Sequence, residues 1–463
     1  MTATPTGKRA NELLAGLLDE VGWRPETLAR RANAHPRRRN RVVHDKTPYK
    51  WIARGDVPHG DLSFVVVEIL GRALGRELGY EEVWGRAPRR SACAVAADDG
   101  LDLPWNGTGL LSILGEPVPN RRTVLTLAGT ALTKYGWMAL TNPGFDPVSV
   151  GADGPVTPQL IEVVDTVVAQ AQGLDDQQGG AARGFVADQF GAVARLLRHA
   201  SYDAATGQRL AAALAQLAQT AGFMAFDARD DGTAQGWYLR GVRAGHASGD
   251  SALVASILAL MSNQAADRSQ ASEAVNLAAA AQQAAVSCSP VVRSLVAARS
   301  SLAYAASGDL SNFRRMRDLT LQLAEEPPDR PGPRWASYAD RTELDAITGR
   351  GLVVLADHLP VQRKQLLREA TTLLHARANT PPGDRAQRSA LRHGAWLSLA
   401  HLAEGDLDRA TAAGRTACRR VPTVTSARSV ALLYDLRDRL RPVADRAHSA
   451  QDLLQTLQQL PAV

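Results

Sequence analysis

Apolar positions mark out four helices in the first 80 residues. Leu13, Leu14, Leu17, Leu18 and Val21 fall on one stripe of a helix over 9–21, which Gly22 ends. Pro25 stands at a first helical position and Glu26 follows it, so Arg24 to Ala34 reads as a second short helix. Thr47-Pro48 predicts a third, with a hydroxyl cap followed by proline; Gly55 stops it and Pro58 lies just beyond. The segment 62–78 predicts a fourth. Its glycines Gly71, Gly75 and Gly79 recur every four residues, which places them on one face. Each costs about 1 kcal/mol relative to alanine, so the face is expected to carry a close helix contact.

The pattern then weakens. Residues 87–158 mix Pro, Gly, Asp and Asn with short apolar pieces, and read as a linker with partial helical order, the clearest helix being 125–140. From Pro158 onward, helix follows helix, from 159–174 through 425–440 to a last segment at 447–459. Part of this region repeats. The pair 251–266/270–286 returns as 291–306/310–325, displaced by 40 residues. Ala305-Ala306-Ser307-Gly308-Asp309-Leu310 returns as Leu402-Ala403-Glu404-Gly405-Asp406-Leu407, and Ala247-Ser248-Gly249-Asp250 is related. Glycine supplies a left-handed close and aspartate caps the next helix. Helix pairs at this period predict an α-solenoid of the tetratricopeptide kind. The fold class is therefore all-α, in three parts: a helix-turn-helix domain over 1–86, a linker over 87–158 and a helical repeat domain over 159–463.

Charge changes the picture. Residues 1–92 hold 17 Lys+Arg and 11 Asp+Glu, which leaves 36 of each for the rest of the chain from totals of 53 and 47. The positive excess sits wholly in the first fifth, and a basic head on a neutral body predicts one surface made for a polyanion. Cys93, Cys288 and Cys418 are far apart and in no metal spacing, so they read as reduced thiols. No secretory signal and no span of about 20 apolar residues is seen, so a cytoplasmic protein without a membrane partner is expected.

The head resembles the phage-repressor type (XRE/Cro-like) helix-turn-helix family. The likeness rests on the first amphipathic helix, Leu28-Ala29 in the second, Tyr49-Lys50-Trp51 with Gly55 and Pro58 in and after the third, and Leu70, Ala73, Leu74 and Gly75 in the fourth. Two departures stand out. Three residues rather than two separate Trp51 from Gly55, and about 12 residues join the second and third helices where three or four are usual. That insertion carries Arg37, Arg38, Arg39, Arg41 and Lys46. Such a head on a tetratricopeptide-like body resembles actinobacterial regulators of differentiation and secondary metabolism, and shares its plan with Gram-positive peptide-sensing regulators.

The resemblance implies double-stranded DNA as a partner, a homodimer that sets two heads on a two-fold operator, and a peptide or small-molecule effector. A recognition helix needs polar groups for base edges, an apolar back and cations for phosphates. Residues 47–54 offer Thr47, Tyr49 and Lys50 for contact, Trp51 and Ile52 for seating and Arg54 for phosphate. In the body, the polar and aromatic residues expected along a concave binding surface are Trp237, Tyr238, Arg240, Asn263, Arg299, Tyr304, Trp335, Tyr338 and Trp396.

Catalytic signatures are missing: there is no His-Glu-x-x-His, no phosphate loop and no Gly-x-Ser-x-Gly. His35, His44 and His59 have no zinc spacing, and the doublets Asp98-Asp99, Asp175-Asp176 and Asp230-Asp231 fall at predicted helix boundaries, where they read as caps or as charges favouring helix N-termini. No enzyme activity, metal or cofactor is expected. The competing reading is a non-catalytic scaffold whose repeats bind proteins and whose head touches nucleic acid without reading sequence.

Overall fold

The computed structural model describes residues 11–34, 43–58, 62–84 (without 75, 77 and 79), 103–115, 130–142, 144–178, 180–327 and 332–460. Among these every regular element is helical apart from two isolated β-bridges, so the protein is all-α. The chain divides into two compact units, Met1–Val95 and Ala96–Val463.

Among the described residues, the first unit holds α1 (Glu12–Glu20), α2 (Pro25–Ala34), α3 (Thr47–Arg54), α4 (Leu62–Leu74) and α5 (Tyr80–Trp84). Its core joins Leu14, Leu17 and Leu18 of α1 to Leu28, Ala29 and Ala32 of α2, Trp51 of α3, Val65, Val66, Ile69 and Leu70 of α4, and Val83 and Trp84 of α5. Trp51 meets Trp84 edge to face at 6.0 Å. Asn11 ties the ends together: its carboxamide oxygen accepts from the Leu14 N–H and its Nδ2 donates to the Val83 carbonyl.

Two expectations change here. Thr47 is not the cap of α3; it is already helical, and its N–H donates to the His44 carbonyl. Of the glycine face, only Gly71 is described, and it serves a different end. α4 ends at Leu74, and a Cβ on Gly71 would lie 2.9 Å from the Arg76 carbonyl oxygen, so that glycine makes room for the chain's own exit. Gly75 and Gly79 lie outside the described residues.

The second unit begins with α6 (Gly107–Gly115), α7 (Thr130–Thr141), α8 (Pro158–Gln178) and α9 (Arg183–His199). The first two belong to the stretch expected as a linker, but their side chains are core. Trp105, Leu110, Ile113, Leu132 and Tyr135 share one apolar cluster with the helices that follow. Arg243 holds the segment in place: it donates to the Leu103 and Pro104 carbonyls and its guanidinium stacks 4.6 Å from the Trp105 ring. Tyr135 donates to the Leu239 carbonyl at 2.7 Å, and burial pushes its pKa up to about 12.

Six helix pairs follow: α10 (Ala204–Asp227) with α11 (Asp231–Ser248), α12 (Ser251–Asp267) with α13 (Ala271–Ala284), α14 (Pro290–Ala306) with α15 (Leu310–Glu325), α16 (Arg341–His358) with α17 (Arg363–Ala378), α18 (Gln387–Glu404) with α19 (Leu407–Cys418), and α20 (Ala427–Leu440) with α21 (His448–Gln458). Within each pair the two helices pack against one another, and α12, α14, α16, α18 and α20 stack in succession. The Gly-Asp phrases act as read. Gly249, Gly308 and Gly405 have φ of 71°, 74° and 83°, and Asp250, Asp309 and Asp406 accept from backbone N–H groups of α12, α15 and α19. Gly222 permits the closest pairing: a Cβ there would come 2.5 Å from the Tyr238 ring.

The stack also closes on itself. α8 touches α18, α10 touches α20, and the Gly180 N–H donates to the Thr425 carbonyl. The inner helices are therefore covered on both faces, and α12 and α14 bury nearly every residue of their central turns.

Candidate functional site

In the first unit the polar side of α3 is the part free of the core. Pro48 and Trp51 are buried, while Lys46, Tyr49, Lys50 and Arg54 are exposed and Thr47 is half-buried. Arg24, Arg30 and Arg31, around α2, are exposed as well, and Arg31 lies 4.2 Å over the Trp23 ring. Among the described residues no carboxylate pairs with Lys46, Lys50 or Arg54. Tyr49 is committed: its hydroxyl donates to Glu26 Oε1 at 2.7 Å, and that bond lowers the Glu26 pKa while raising that of Tyr49. Seating of α3 comes from Trp51 and from Ile52, whose carbonyl accepts from the Asn11 N–H.

Arg37, Arg38, Arg39 and Arg41 lie outside the described residues. The positions flanking them are fixed. Asn33 donates through Nδ2 to the Val43 carbonyl at 2.8 Å and accepts the Val43 N–H at 2.7 Å, so α2 and the approach to α3 are clamped together at residues 33 and 43.

The body residues expected on a concave surface are mostly inside. Trp237 and Tyr238 are core, with Trp237 edge to face on Phe190 at 4.9 Å. Tyr304 and Trp335 are buried, Trp396 is half-buried between two apolar clusters, and Arg240 donates to the Gly236 carbonyl of its own helix. Trp237, Tyr238 and Trp335 belong to the cluster of the earlier helices and Tyr304 to that of α15–α17, so their rings are spent on packing. Asn263 bonds Arg350, and Arg299 bonds Tyr338, as parts of a buried network that was not expected from the sequence.

That network joins distant helices by ion pairs. Arg388 of α18 meets Asp175 of α8 at 2.8 Å, and Arg392 meets Asp227 at the end of α10. Arg428 of α20 donates Nε to Asp267 of α12 at 2.6 Å, and Arg350 of α16 reaches the same carboxylate at 3.2 Å and Asn263 at 2.6 Å. Arg299 donates to Ser256 and to the Tyr338 hydroxyl. Arg377 pairs with Asp340 and Glu343, and Glu343 also accepts from Ser389. Burial works against the Asp267 charge, but Arg428, Arg350 and Arg392 overcome it and hold that carboxyl below its ordinary pKa. One signal was available: Arg350 interrupts the apolar run Ile347 to Val354, where a charge needs a partner.

His393 and Glu343 give the network a pH dependence. Burial depresses the His393 pKa against the pull of Glu343, and Arg392 and Arg350 depress it further; burial also lowers His246. The unfolded chain therefore takes up these protons first, so stability falls as pH drops below about 6.5. Burial alone would raise Glu343, but the His393 hydrogen bond and charge, with Arg377 and Ser389, bring it down to about 2. Its contribution is complete above the unfolded value of about 4.3 and is lost as pH falls toward 2. Urea midpoints should thus be lower at pH 5.5 than at 7.5, with a smaller drop in His393→Gln. An identical drop in the variant would remove His393 from the account.

Among the described residues no three His, Cys, Asp or Glu side chains gather as metal ligands, and no helix is long and apolar enough to cross a membrane. Cys288 and Cys418 are free thiols; burial raises both, Cys418 to about 11. The profile of the SP15 N-terminal domain family matches residues 14–83, the span of the unit from α1 to α5. No curated protein and no solved structure matches this chain.

Proposed function

We propose that the protein is a sequence-reading DNA-binding regulator, with the Met1–Val95 unit as its head and the helical body as the part that receives an effector. The observation that carries the reading is α3, seated by Trp51 and presenting Lys46, Tyr49, Lys50 and Arg54 outward with no described carboxylate neutralising the three cations. A short helix with a buried aromatic back and a cationic face is what entry into a major groove requires. Its likeness to the XRE/Cro-like plan, noted from Tyr49-Lys50-Trp51, Gly55 and Pro58, supports this reading. Tyr49 reaches DNA only by leaving Glu26, so Lys50 is the stronger base contact and Arg54 a phosphate contact. A second copy of the chain supplies the other head for a two-fold site, with half-sites about 34 Å apart or a multiple of that.

The test is selection from random duplexes with the full chain, followed by binding across a salt series. The preferred duplex should win by about 10³-fold or more near physiological salt. Lys50→Ala should lose about tenfold on that duplex and little on others, while Arg54→Ala should weaken all duplexes alike and reduce the salt slope by about one. If every duplex binds equally and fades together with salt, the head is a sequence-blind contact and the scaffold reading replaces this one.

A further inference from the structure

Inside the body, three guanidinium groups stand against two carboxylates at one place. Arg350, Arg392 and Arg428 come from three different helices and surround two carboxylates, Asp227 and Asp267. Burial, the largest cause, and mutual repulsion bring Arg350 down to about 9 and Arg392 to about 10. Their hydrogen-bonding groups are only partly used. Arg428 spends Nε and Nη2 on Asp267, and Arg392 spends Nη2 on Asp227. Arg428 Nη1, Arg392 Nε and the Tyr238 hydroxyl are buried donors with no partner. Arg392 and Arg428 are each 9% exposed and Tyr238 is wholly buried.

These donors are also held in place. The Arg428 guanidinium lies 3.8 Å from the Phe226 ring centre, and Arg392 lies 5.5 Å from that of Phe223. The Tyr238 ring packs on Gly222, one turn before Phe226 on α10, and its hydroxyl feels Arg299 and Arg428 on the cationic side and Asp175 and Asp231 on the anionic side. A water molecule could satisfy such donors but would leave the charge excess standing. An anion does both.

We infer that this cluster is a binding site for a small oxyanion, the phosphate or carboxylate group of an effector, received by Tyr238, Arg392 and Arg428. Planar, fixed guanidinium groups are suited to both kinds of group. Asp227 Oδ2 is a buried acceptor without a partner beside them, which favours a ligand carrying a hydrogen next to its charge, as hydrogen phosphate or a hydroxy acid does. The inference rests on the effector half of the reading above; its assay contains no DNA, so failure of duplex selection leaves it standing.

The experiment is calorimetric and thermal-shift titration of the full chain with inorganic phosphate, citrate and acetate, against chloride at matched ionic strength. Phosphate or citrate should bind saturably and raise the unfolding midpoint as a ligand of the native state does; which of the two binds tighter separates the phosphate from the carboxylate source. Tyr238→Phe removes one hydroxyl and should weaken binding about tenfold, and Arg392→Lys should do the same with its charge retained. If all the anions act as chloride does, the interior holds water and the inference fails. Phosphate bound equally well by the wild type and both variants sits elsewhere, on the basic head for example, and overturns it too.

Discussion

Asp227→Ala is expected to destabilise the helical body by about 3–5 kcal/mol, because it leaves Arg392 charged, buried and unpaired. Asp227 is fully buried at the end of α10, and its partner comes from α18, 165 residues later. A surface ion pair of the same chemistry would be worth about 0–1 kcal/mol. The difference is desolvation: inside the body Arg392 has no water to return to. Removing both partners should therefore cost much less than removing one. Asp227→Leu with Arg392→Met is expected to recover most of the lost stability, since a well-packed apolar pair is often as stable as a buried ion pair. Urea unfolding followed by circular dichroism checks both. If the single and double variants lose the same amount, the damage comes from repacking against Phe223 and not from the stranded charge.

This network also shows where the sequence stops being legible. Helix starts and stops were readable because they are local events. Gly308-Asp309 and Gly405-Asp406 each contain the left-handed residue and the cap that the turn uses, and α14/α15 fall within a residue of the expected 291–306/310–325. The helices around Leu110 and Tyr135 were expected to belong to a linker because the composition there is loop-like, and what holds the first of them, Arg243 on the Leu103 and Pro104 carbonyls, lies more than 100 residues downstream. The inner face was misread for the same kind of reason. Arg388, Arg392 and Arg428 look like solvated helix positions until the stack closes and sets them against Asp175, Asp227 and Asp267. Nothing within one helix records that closure. On the head the polar face of α3 was legible, since Pro48 and Trp51 alone fix which side turns inward. The Glu26 bond to Tyr49 was not, because it depends on how α2 lies across α3.

Trp51→Ala is expected to leave the head unfolded for much of the time. Trp51 is 4% exposed and packs on Trp84, whose indole N–H donates to the Ser63 carbonyl at 3.1 Å. Truncating a buried tryptophan costs about 3–5 kcal/mol in lost transfer energy and cavity. A unit of this size has only the lower part of the usual 5–15 kcal/mol to lose, because small domains bury a smaller share of their surface. Losing that much leaves the head unfolded for a large part of the time at 37 °C. Thermal unfolding of the residue 1–95 unit within the full chain, followed by exchange of the Leu14, Leu28 and Leu70 amides, should show loss of protection there. Duplex binding should disappear with it. Lys50→Ala provides the contrast: it loses affinity while those amides stay protected, because Lys50 is exposed and outside the core. Were Trp51→Ala to keep its protection and lose only binding, Trp51 would be a contact with the nucleic acid rather than the seat of α3, and the orientation assigned to that helix would have to be reversed.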